Sequence, residues 1–381
     1  KEIAKESSKL GIELFVLDDG WFGERNNDDC SLGDWFVNEE KLKGGLNSLA
    51  TDINKMGMQF GLWFEPEMIS PKSKLYEEHP DWCIHIDGRI RSEARKQLIL
   101  DLSRDEVCEA VIKMITDVLK SAPISYVKWD MNRNMTEIGS TAWPAKKQKE
   151  IAHRYMLGLY KILENITSNF PNILFESCSG GGGRFDGGML YYMPQTWTSD
   201  DTDAIERLMI QEGTSLVYPT SSMGSHVSAV PNHQVHRITP LNTRGVVAMA
   251  GSFGYELDVT KMNEEEKEEV KKQVEFYKNI RSTVQFGDLY RLKSSFDSNE
   301  AAWMNLSKDG KEVVVSYVKK YAEANVIPRR LKVKALDENS LYEVIETGEV
   351  FGGDELMYIG LEIGELMGDY QAKNWTLRKV D

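Results

Sequence analysis

Short apolar runs alternate along most of the chain with stretches whose apolar residues recur at helical spacing. The runs are short, continuous and rich in aromatic or β-branched residues, which is typical of parallel strands buried on both faces. Seven runs are predicted strands: IELFVLDDG, QFGLWFEPE, ISYVKWD, ILFESCSGG, QTWTSDD, TSLVYP and GVVAMAG. The alternation predicts a (β/α)8 barrel of the TIM type whose first strand precedes Lys1, with a doubly wound open sheet as the competing architecture.

Three segments between these runs have apolar residues on one helical face, which predicts helices packed on the strands. They are the stripe of Leu46, Leu49, Ile53 and Met56, the stripe of Val107, Val111, Ile115 and Val118, and the segment IAHRYMLGLYKILENI.

The pattern changes after the charged helical segment NEEEKEEVKKQVEFYKNI. Short alternating runs separated by turn residues follow, among them KEVVVSYVKK, LYEVIE and NWTLRKV. This spacing predicts a small antiparallel β-sandwich domain. The predicted domains are therefore a catalytic barrel over residues 1–286 and a C-terminal β domain over residues 287–381.

Composition narrows the classes of partner. The formal charge of −14 argues against a nucleic acid or an anionic membrane as partner. No apolar run reaches the roughly 18 residues of a membrane span. The four cysteines are widely spaced without a CxxC motif, which favours a reducing, cytoplasmic location. The chain opens on what reads as the body of a helix without an initiating Met, so we expect it to begin partway into its domain.

Polar residues stand at the downstream end of five successive runs. In a barrel these ends converge on the face where barrel enzymes build their sites. The residues are Asp18, Asp19, Glu65, Lys128, Asp130, Glu176, Asp200 and Asp201, and Trp21, Trp63, Trp129 and Trp197 accompany them. Carboxylates combined with indole rings suit a sugar, because rings pack on C–H faces while carboxylates accept hydroxyl protons.

Glycoside hydrolysis needs two carboxyl groups with different duties, a nucleophile or base and a protonated acid. A neighbouring cation favours the ionised form of a carboxylate, so Lys128 beside Asp130 predicts that Asp130 is the nucleophile. Asp200, at the end of a later run, is then the acid.

Several segments together carry a resemblance that covers nearly the whole chain in order. FVLDDGWFG, GLWFEPEM, YVKWDMNR, ESCSGGGGRFD and TWTSDDTDAIERL resemble the signature segments of glycoside hydrolase family 36, the bacterial α-galactosidases. The resemblance implies a retaining, exo-acting enzyme without a cofactor or metal, which removes terminal α-galactosyl groups from oligosaccharides such as melibiose and raffinose.

The resemblance also implies roles for individual residues. Asp130 corresponds to the nucleophile and Asp200 to the general acid/base. Asp201 stands where many relatives have Asn, so it stays an alternative to Asp200. For a retaining enzyme, the carboxyl groups of Asp130 and Asp200 are expected about 5 to 6 Å apart.

Sugar-binding residues follow from the same resemblance. Asp18 and Asp19 correspond to the pair that binds the axial O4 and the O6 hydroxyl of galactose, and Trp63 to an aromatic wall of the −1 subsite. Arg95 and Lys128 correspond to donors towards O3 and O4.

The glycine-rich segment supplies the remaining contact, because Cys178 and Gly181 lie in the part that meets O2. The family usually has an N-terminal β domain and a first barrel strand, and neither is found in this sequence. For the intact protein the resemblance implies a homo-oligomer, whereas the state of this chain alone is left open.

Two other functions stay open at this point. One is a galactosyltransferase of the same family, similar to the plant raffinose synthases. The other is a divalent-metal barrel of the enolase type, with Lys128 as base. His233 and His236 have a possible ligand spacing but no third ligand nearby, and Trp35 is either a rim aromatic for the leaving sugar or loop packing.

Overall fold

The computed structural model of this protein describes residues 1–380. They form two compact units, one over Lys1–Trp197 and one that starts at Thr198. Among the described residues, no helix combines the length and the apolar character that crossing a membrane requires.

The first unit is built on five parallel strands in the order β1-β2-β5-β6-β7, with a short antiparallel pair, β3 and β4, inserted after β2. The strands are β1 (Leu14–Leu17), β2 (Gln59–Phe64), β3 (Met68–Ile69), β4 (Leu98–Ile99), β5 (Tyr126–Trp129), β6 (Leu174–Ser177) and β7 (Gln195–Trp197). Each of the five predicted strands in this unit is confirmed, and each carries its polar residues at or just beyond its carboxyl end.

Helices precede and connect the strands of the first unit. They are α1 (Glu2–Lys9), α2 (Gly45–Lys55), α3 (Lys74–Glu78), α4 (Asp105–Ser121), α5 (Ile151–Asn169) and α6 (Gly187–Tyr192), with 3-10 turns at Pro80–Trp82 and Ala145–Glu150. The three predicted apolar faces lie on α2, α4 and α5 and contribute to one core. Gly158 in α5 permits close packing, because a Cβ there would lie 1.9 Å from the carbonyl oxygen of Leu102.

The second unit contains a parallel strand pair, β8 (Met223–Ser228) and β9 (Ser252–Glu256). Its helices are α7 (Ala204–Ser215), α8 (Leu241–Ala248), α9 (Glu264–Phe286) and α10 (Gly353–Tyr358), with 3-10 turns at Thr220–Ser222 and Val259–Lys261. Helix α9 confirms the predicted charged helix, and it begins with a capping box in which Asn263 and Glu266 exchange side-chain and backbone hydrogen bonds.

Antiparallel strands follow α9. Six form a sheet in the order β10-β11-β12-β17-β14-β15, and β13 pairs with β16. They are β10 (Asp288–Lys293), β11 (Glu300–Leu306), β12 (Glu312–Lys319), β13 (Arg330–Leu331), β14 (Leu341–Val344), β15 (Glu349–Gly352), β16 (Leu361–Glu362) and β17 (Gln371–Val380). The two sheets share one apolar core, in which Val315 of β12 stands opposite Trp375 of β17. The predicted antiparallel strands are confirmed here.

Two predicted strands are wrong. Residues 214–219 end helix α7 and turn, and residues 245–251 lie mostly in helix α8. A short, fully apolar run fits a buried helix as well as a buried strand, and periodicity alone cannot separate the two. The strands present in this part of the chain, β8 and β9, have less apolar sequences than the two runs that were predicted as strands. Strand β8 has the sequence MGSHVS, and its buried Ser225 donates its hydroxyl to Gln211 instead of packing an apolar side chain.

Candidate active site

Asp130 directly follows β5 and is 5% exposed. Its carboxylate accepts three hydrogen bonds: Oδ1 from the backbone N–H of Met131 at 2.8 Å, and Oδ2 from Trp63 Nε1 at 3.1 Å and from Asn132 Nδ2 at 2.8 Å. Its own backbone N–H donates to the carbonyl oxygen of Phe64 at 2.7 Å. The carboxylate is therefore held in one orientation by groups from β2 and from its own turn.

Lys128 lies two residues before Asp130, on the same side of the strand. Its Nζ is 3.9 Å from Asp18 Oδ2 and 5.5 Å from the centroid of the Trp197 ring. Burial alone would lower the pKa of Lys128, but the negative charges of Asp18, Glu176 and Asp130 outweigh it and raise that pKa. Lys128 is therefore a permanent cation in the site and not a base.

Asp18 and Asp19, which follow β1, differ in how they are held. The Asp18 side chain is 67% exposed, whereas that of Asp19 is 31% exposed. Arg25 binds Asp19 with a fork, Nε to Oδ1 at 3.0 Å and Nη2 to Oδ2 at 2.8 Å. Burial lowers the pKa of Arg25, but the hydrogen bond and charge of Asp19 raise it overall. Sequence reasoning missed Arg25, because nothing in its spacing marks it.

Two fully buried glutamates, Glu65 and Glu67, follow β2. Glu65 Oε1 accepts the backbone N–H of Asn132 at 2.5 Å, and Oε2 accepts from Gln97 Nε2 at 3.2 Å. Burial and the charge of Asp130 raise the pKa of Glu65 to about 8, although Asn132 and Arg95 oppose the shift. Glu65 is thus a carboxyl group that faces the Asp130 carboxyl group without an ion pair of its own.

Glu67 has a different environment. It accepts hydrogen bonds from Trp129 Nε1 at 2.9 Å and Tyr155 Oη at 2.6 Å, and Arg184 binds it through both terminal nitrogens at 2.8 and 2.7 Å. Burial would raise the pKa of Glu67, but the charge of Arg184 and these hydrogen bonds lower it overall. The ion pair ties the glycine-rich loop that contains Arg184 to the end of β2.

Cys178 and Gly181 lie in that loop, just beyond β6. Cys178 is 1% exposed, and its backbone N–H donates to the carbonyl oxygen of Trp129 at 2.8 Å. Burial and the charge of Asp130 raise the pKa of the Cys178 thiol, so the thiol is neutral. Gly181 has φ +83°, in the left-handed region that favours glycine, and its carbonyl oxygen accepts from the backbone N–H of Ser179 at 2.7 Å.

The structure also locates Arg95, Trp63 and Trp35. Arg95 is exposed, and its charge opposes the rise in the pKa of Glu65. Trp63 is 3% exposed and reaches Asp130 through its indole N–H, so its role as a sugar-facing wall stays a prediction. Trp35 is 4% exposed and packs with Trp21 and Trp63, which makes it loop packing within this unit.

Asp200 and Asp201 precede α7 in the second unit. Asp201 Oδ1 accepts the backbone N–H of Asp203 at 3.1 Å, and Asp203 caps α7 and pairs with Arg237. Asp200 is exposed, and within residues 1–380 its carboxylate has no hydrogen bond or ion pair. Asp201 is therefore part of the turn before α7, while Asp200 is the carboxyl group available to a ligand. The predicted separation of Asp130 and Asp200 stays a prediction.

Within residues 1–380, no group of three or more His, Cys, Asp or Glu side chains could hold a metal ion. All four cysteines are free thiols.

Comparison with known proteins assigns two family models to the chain. The Melibiase model matches residues 1–287, and the model of the glycosyl hydrolase family 36 C-terminal domain matches residues 300–377.

Curated relatives match over nearly the whole chain. Alpha-galactosidase AgaA of Geobacillus stearothermophilus is 61% identical over 378 residues, 99% of this chain and 52% of its own length. Alpha-galactosidase Mel36A of Lactobacillus acidophilus is 51% identical over 381 residues, again 52% of its own length. The chain thus spans about half the length of the curated relatives it matches.

Solved structures agree with the sequence comparison. The crystal structure of the GH36 α-galactosidase AgaA matches with a TM-score of 0.97 over 99% of this chain and 52% of its own length. The α-galactosidase from Lactobacillus brevis, 45% identical, also has a TM-score of 0.97, over 100% of this chain and 52% of its own. The fold class expected from the sequence, a TIM-type barrel followed by an antiparallel β domain, is confirmed by this likeness.

Proposed function

This chain belongs to glycoside hydrolase family 36, the melibiase family, and from that premise we propose that it carries the catalytic centre of a retaining, exo-acting α-galactosidase that needs no cofactor. The observation that carries the proposal is the environment of Asp130. A strand-end carboxylate held by three donors, beside a permanent cation at Lys128, has the orientation and charge that a nucleophile needs.

In the proposed first step, an oxygen of the Asp130 carboxylate attacks the anomeric carbon while Asp200 donates a proton to the departing glycosidic oxygen. A β-linked galactosyl-enzyme forms and the aglycone leaves as an alcohol. In the second step Asp200, now a base, takes a proton from water, whose oxygen displaces Asp130 and yields α-galactose. The free carboxylate of Asp200, in contrast to the bonded one of Asp201, supports this choice of acid.

Terminal α-galactosyl groups of oligosaccharides are the proposed substrates. Structures of the related AgaA contain raffinose in a variant with an aspartate replaced by asparagine, and stachyose in a variant with an aspartate replaced by alanine. Asp18 and Asp19 are proposed to accept the hydroxyl protons of O4 and O6, and Lys128 and Arg95 to donate towards O3 and O4. Asp18 is the more accessible of the two carboxylates.

The buried thiol of Cys178 and the backbone at Gly181 are proposed to border O2, and Trp63 to line the subsite. At that position the Cys178 side chain, which is buried, would crowd an N-acetyl group at C2. We therefore propose that α-glucosides and α-N-acetylgalactosaminides are poor substrates. Unpaired carboxylates in the glucoside complex would disfavour it by a few kcal/mol, on the order of 10²- to 10⁴-fold in kcat/KM.

Further features of the intact protein are also proposals. They are a division of this chain into a catalytic domain over residues 1–286 and a β domain over residues 287–381, a cytoplasmic location, and homo-oligomers of the intact protein. The enolase-type interpretation is wrong, because the chain belongs to family 36. The transferase alternative differs only in the second step, where a sugar hydroxyl replaces water.

The decisive experiment compares hydrolysis of an aryl α-galactoside by this chain and by an N-terminally extended version, with NMR of the first-formed sugar. We expect α-galactose as the first product, and added acceptor sugars would reveal transfer. A first product in the β configuration would contradict the retaining mechanism.

The choice between Asp200 and Asp201 is tested by leaving-group dependence in an active version. Asp200→Ala should lose much more activity on raffinose than on a nitrophenyl galactoside, because a good leaving group needs no proton. Azide should then give a product of retained configuration. The matched control is Asp201→Asn; if it alone shows the leaving-group dependence, Asp201 is the acid.

A further inference from the structure

Glu65 is a buried carboxyl group that the proposed mechanism does not use. It is 0% exposed and lies directly after β2, between the turn that contains Asp130 and the segment that contains Gln97. Its two oxygens accept from the backbone N–H of Asn132 and from the side-chain amide of Gln97. Within residues 1–380, no Lys or Arg forms an ion pair with it.

Glu65 is connected to the nucleophile through one residue. The same Asn132 whose backbone N–H binds Glu65 donates its side-chain amide to Asp130 Oδ2 at 2.8 Å. The Glu65 bond at 2.5 Å therefore fixes the residue that orients the Asp130 carboxylate. A shift of this turn would move the attacking oxygen, and misplacement by about 1 Å can reduce the rate about a hundredfold.

The charges around Glu65 favour a neutral group. Asp130 faces it from the turn after β5, Arg95 from the segment before β4, and Arg25 from the loop after β1. Arg95 is exposed, and Arg25 is already bound to Asp19 by its fork. Two buried carboxylates side by side repel each other, so one of them holds a proton.

We propose that Glu65 is a positioning residue for Asp130 that acts as a neutral carboxylic acid, accepting the Asn132 N–H while leaving Asp130 as the only charge of the pair. The inference rests on the proposed role of Asp130 as nucleophile. Gln97 suits either form of Glu65, since its amide nitrogen can donate to a carboxylate and its amide oxygen, which has no partner, can accept from an acid. The raised pKa of Glu65, about 8, agrees with this form.

The test uses Glu65→Gln and Glu65→Leu in an active version, with an aryl galactoside whose leaving group needs no acid. Gln keeps the acceptor and the shape of a neutral acid, so kcat should stay within about threefold of the parent at pH well below 8. Leu removes the acceptor, so kcat should fall about a hundredfold while KM changes little.

The pH profile distinguishes positioning from simple packing. The parent should lose kcat as pH rises through about 8, because ionised Glu65 repels Asp130, and Glu65→Gln should not. Glu137→Gln is the matched control. Glu137 lies seven residues after Asp130 and accepts hydrogen bonds from Ser92 and Thr136, and its pKa of about 2 keeps it charged over the whole pH range. This variant should keep the parent's profile. A hundredfold loss in Glu65→Gln, or an unchanged alkaline limb, would overturn the inference.

Infrared difference spectra across the same pH range provide a readout that needs no turnover. A carbonyl band of a protonated carboxyl should disappear as pH rises through about 8 in the parent and in Glu137→Gln, and should be absent in Glu65→Gln. If no galactoside is hydrolysed but the band behaves in this way, the proposed function is wrong while the neutral state of Glu65 stands. If hydrolysis occurs without the band, Glu65 is ionised and the inference is wrong.

Discussion

The surroundings of Glu65 and Glu67 differ although both residues stand in the same four-residue segment, Phe64–Glu67, and are 0% exposed. Glu67 meets a guanidinium, a phenol and an indole N–H, and its pKa is lowered. Glu65 meets amides and a second carboxyl group, and its pKa is raised to about 8. Burial is the same for both, so the partners alone decide which of the two carries a charge.

This contrast matches the position of each residue in the site. The Glu67 ion pair fastens the glycine-rich loop, through Arg184, to the end of β2. Glu65 lies next to the proposed nucleophile, where a second negative charge would repel that of Asp130. The ionised Glu67 therefore holds the loop in place, and the neutral Glu65 leaves Asp130 as the only negative charge of their pair.

The largest expected effect comes from removing the Asp130 carboxylate, whose charge raises the pKa of Glu65. Asp130→Ala should reduce turnover of every α-galactoside by about 10⁴-fold or more, because no galactosyl-enzyme can form. Added azide should restore part of the activity and give a β-configured product. In this variant the pKa of Glu65, followed by its infrared band, should fall, since a main cause of its rise is gone. An unchanged band would show that burial alone raises that pKa.

The next effect concerns stability. Glu67→Gln leaves the Arg184 guanidinium buried without its counter-charge and should lower the free energy of unfolding by about 3 to 5 kcal/mol. Urea denaturation measures it, with Glu65→Gln as the matched control, which should cost less than about 1 kcal/mol. The double variant Glu67→Gln with Arg184→Met should recover part of the loss. Equal losses of unfolding free energy in Glu67→Gln and Glu65→Gln would contradict the different charge states of the two residues.

The pH dependence of stability should have opposite signs at the two positions. The folded pKa of Glu65 is raised, so its contribution is complete below the unfolded value of 4.5 and is lost as pH rises through about 8. The folded pKa of Glu67 is lowered, so its contribution is present above 4.5 and is lost as pH falls through the folded pKa.

Each unit of pKa difference corresponds to about 1.4 kcal/mol. Unfolding free energies measured over this pH range should therefore decline less steeply towards alkaline pH in Glu65→Gln than in the parent. Glu67→Gln should lower the unfolding free energy at all pH values above 4.5 and remove the Glu67-dependent decline on the acidic side, while the alkaline slope stays that of the parent. A parallel shift of the whole curve in Glu65→Gln would mean that Glu65 does not titrate in the folded protein.

The smallest expected difference lies in single hydrogen bonds. Tyr155→Phe removes a donor to a charged carboxylate and should cost about 1.5 to 3 kcal/mol, whereas Gln97→Met removes a bond to a neutral acid and should cost about 0.5 to 1.5 kcal/mol. Both side chains are buried, so thermal unfolding of the two variants compares like with like. A larger loss in Gln97→Met would indicate that Glu65 is ionised.

Part of the fold and part of the candidate site could be predicted from the sequence. Parallel strands buried on both faces need continuous apolar runs, and their carboxyl ends meet on one side of the sheet, so β1, β2, β5, β6 and β7 and the polar residues after them were predictable. The resemblance of several segments then assigned roles to Asp130 and Asp200, and family membership is confirmed. The runs at 214–219 and 245–251 failed because a buried helix and a buried strand can have the same short apolar composition.

Only the tertiary structure decided which groups meet. No local pattern shows that Arg25 would bind Asp19, that Asn132 would connect Glu65 to Asp130, or that Arg184 would cross to Glu67, 117 residues away. Hydrophobic periodicity depends on neighbours a few residues apart, whereas the charge state of a buried carboxyl depends on whatever the fold brings within a few ångströms. The sequence therefore determined the strands and the kind of chemistry at their ends, and the fold determined which of two identical glutamates is ionised.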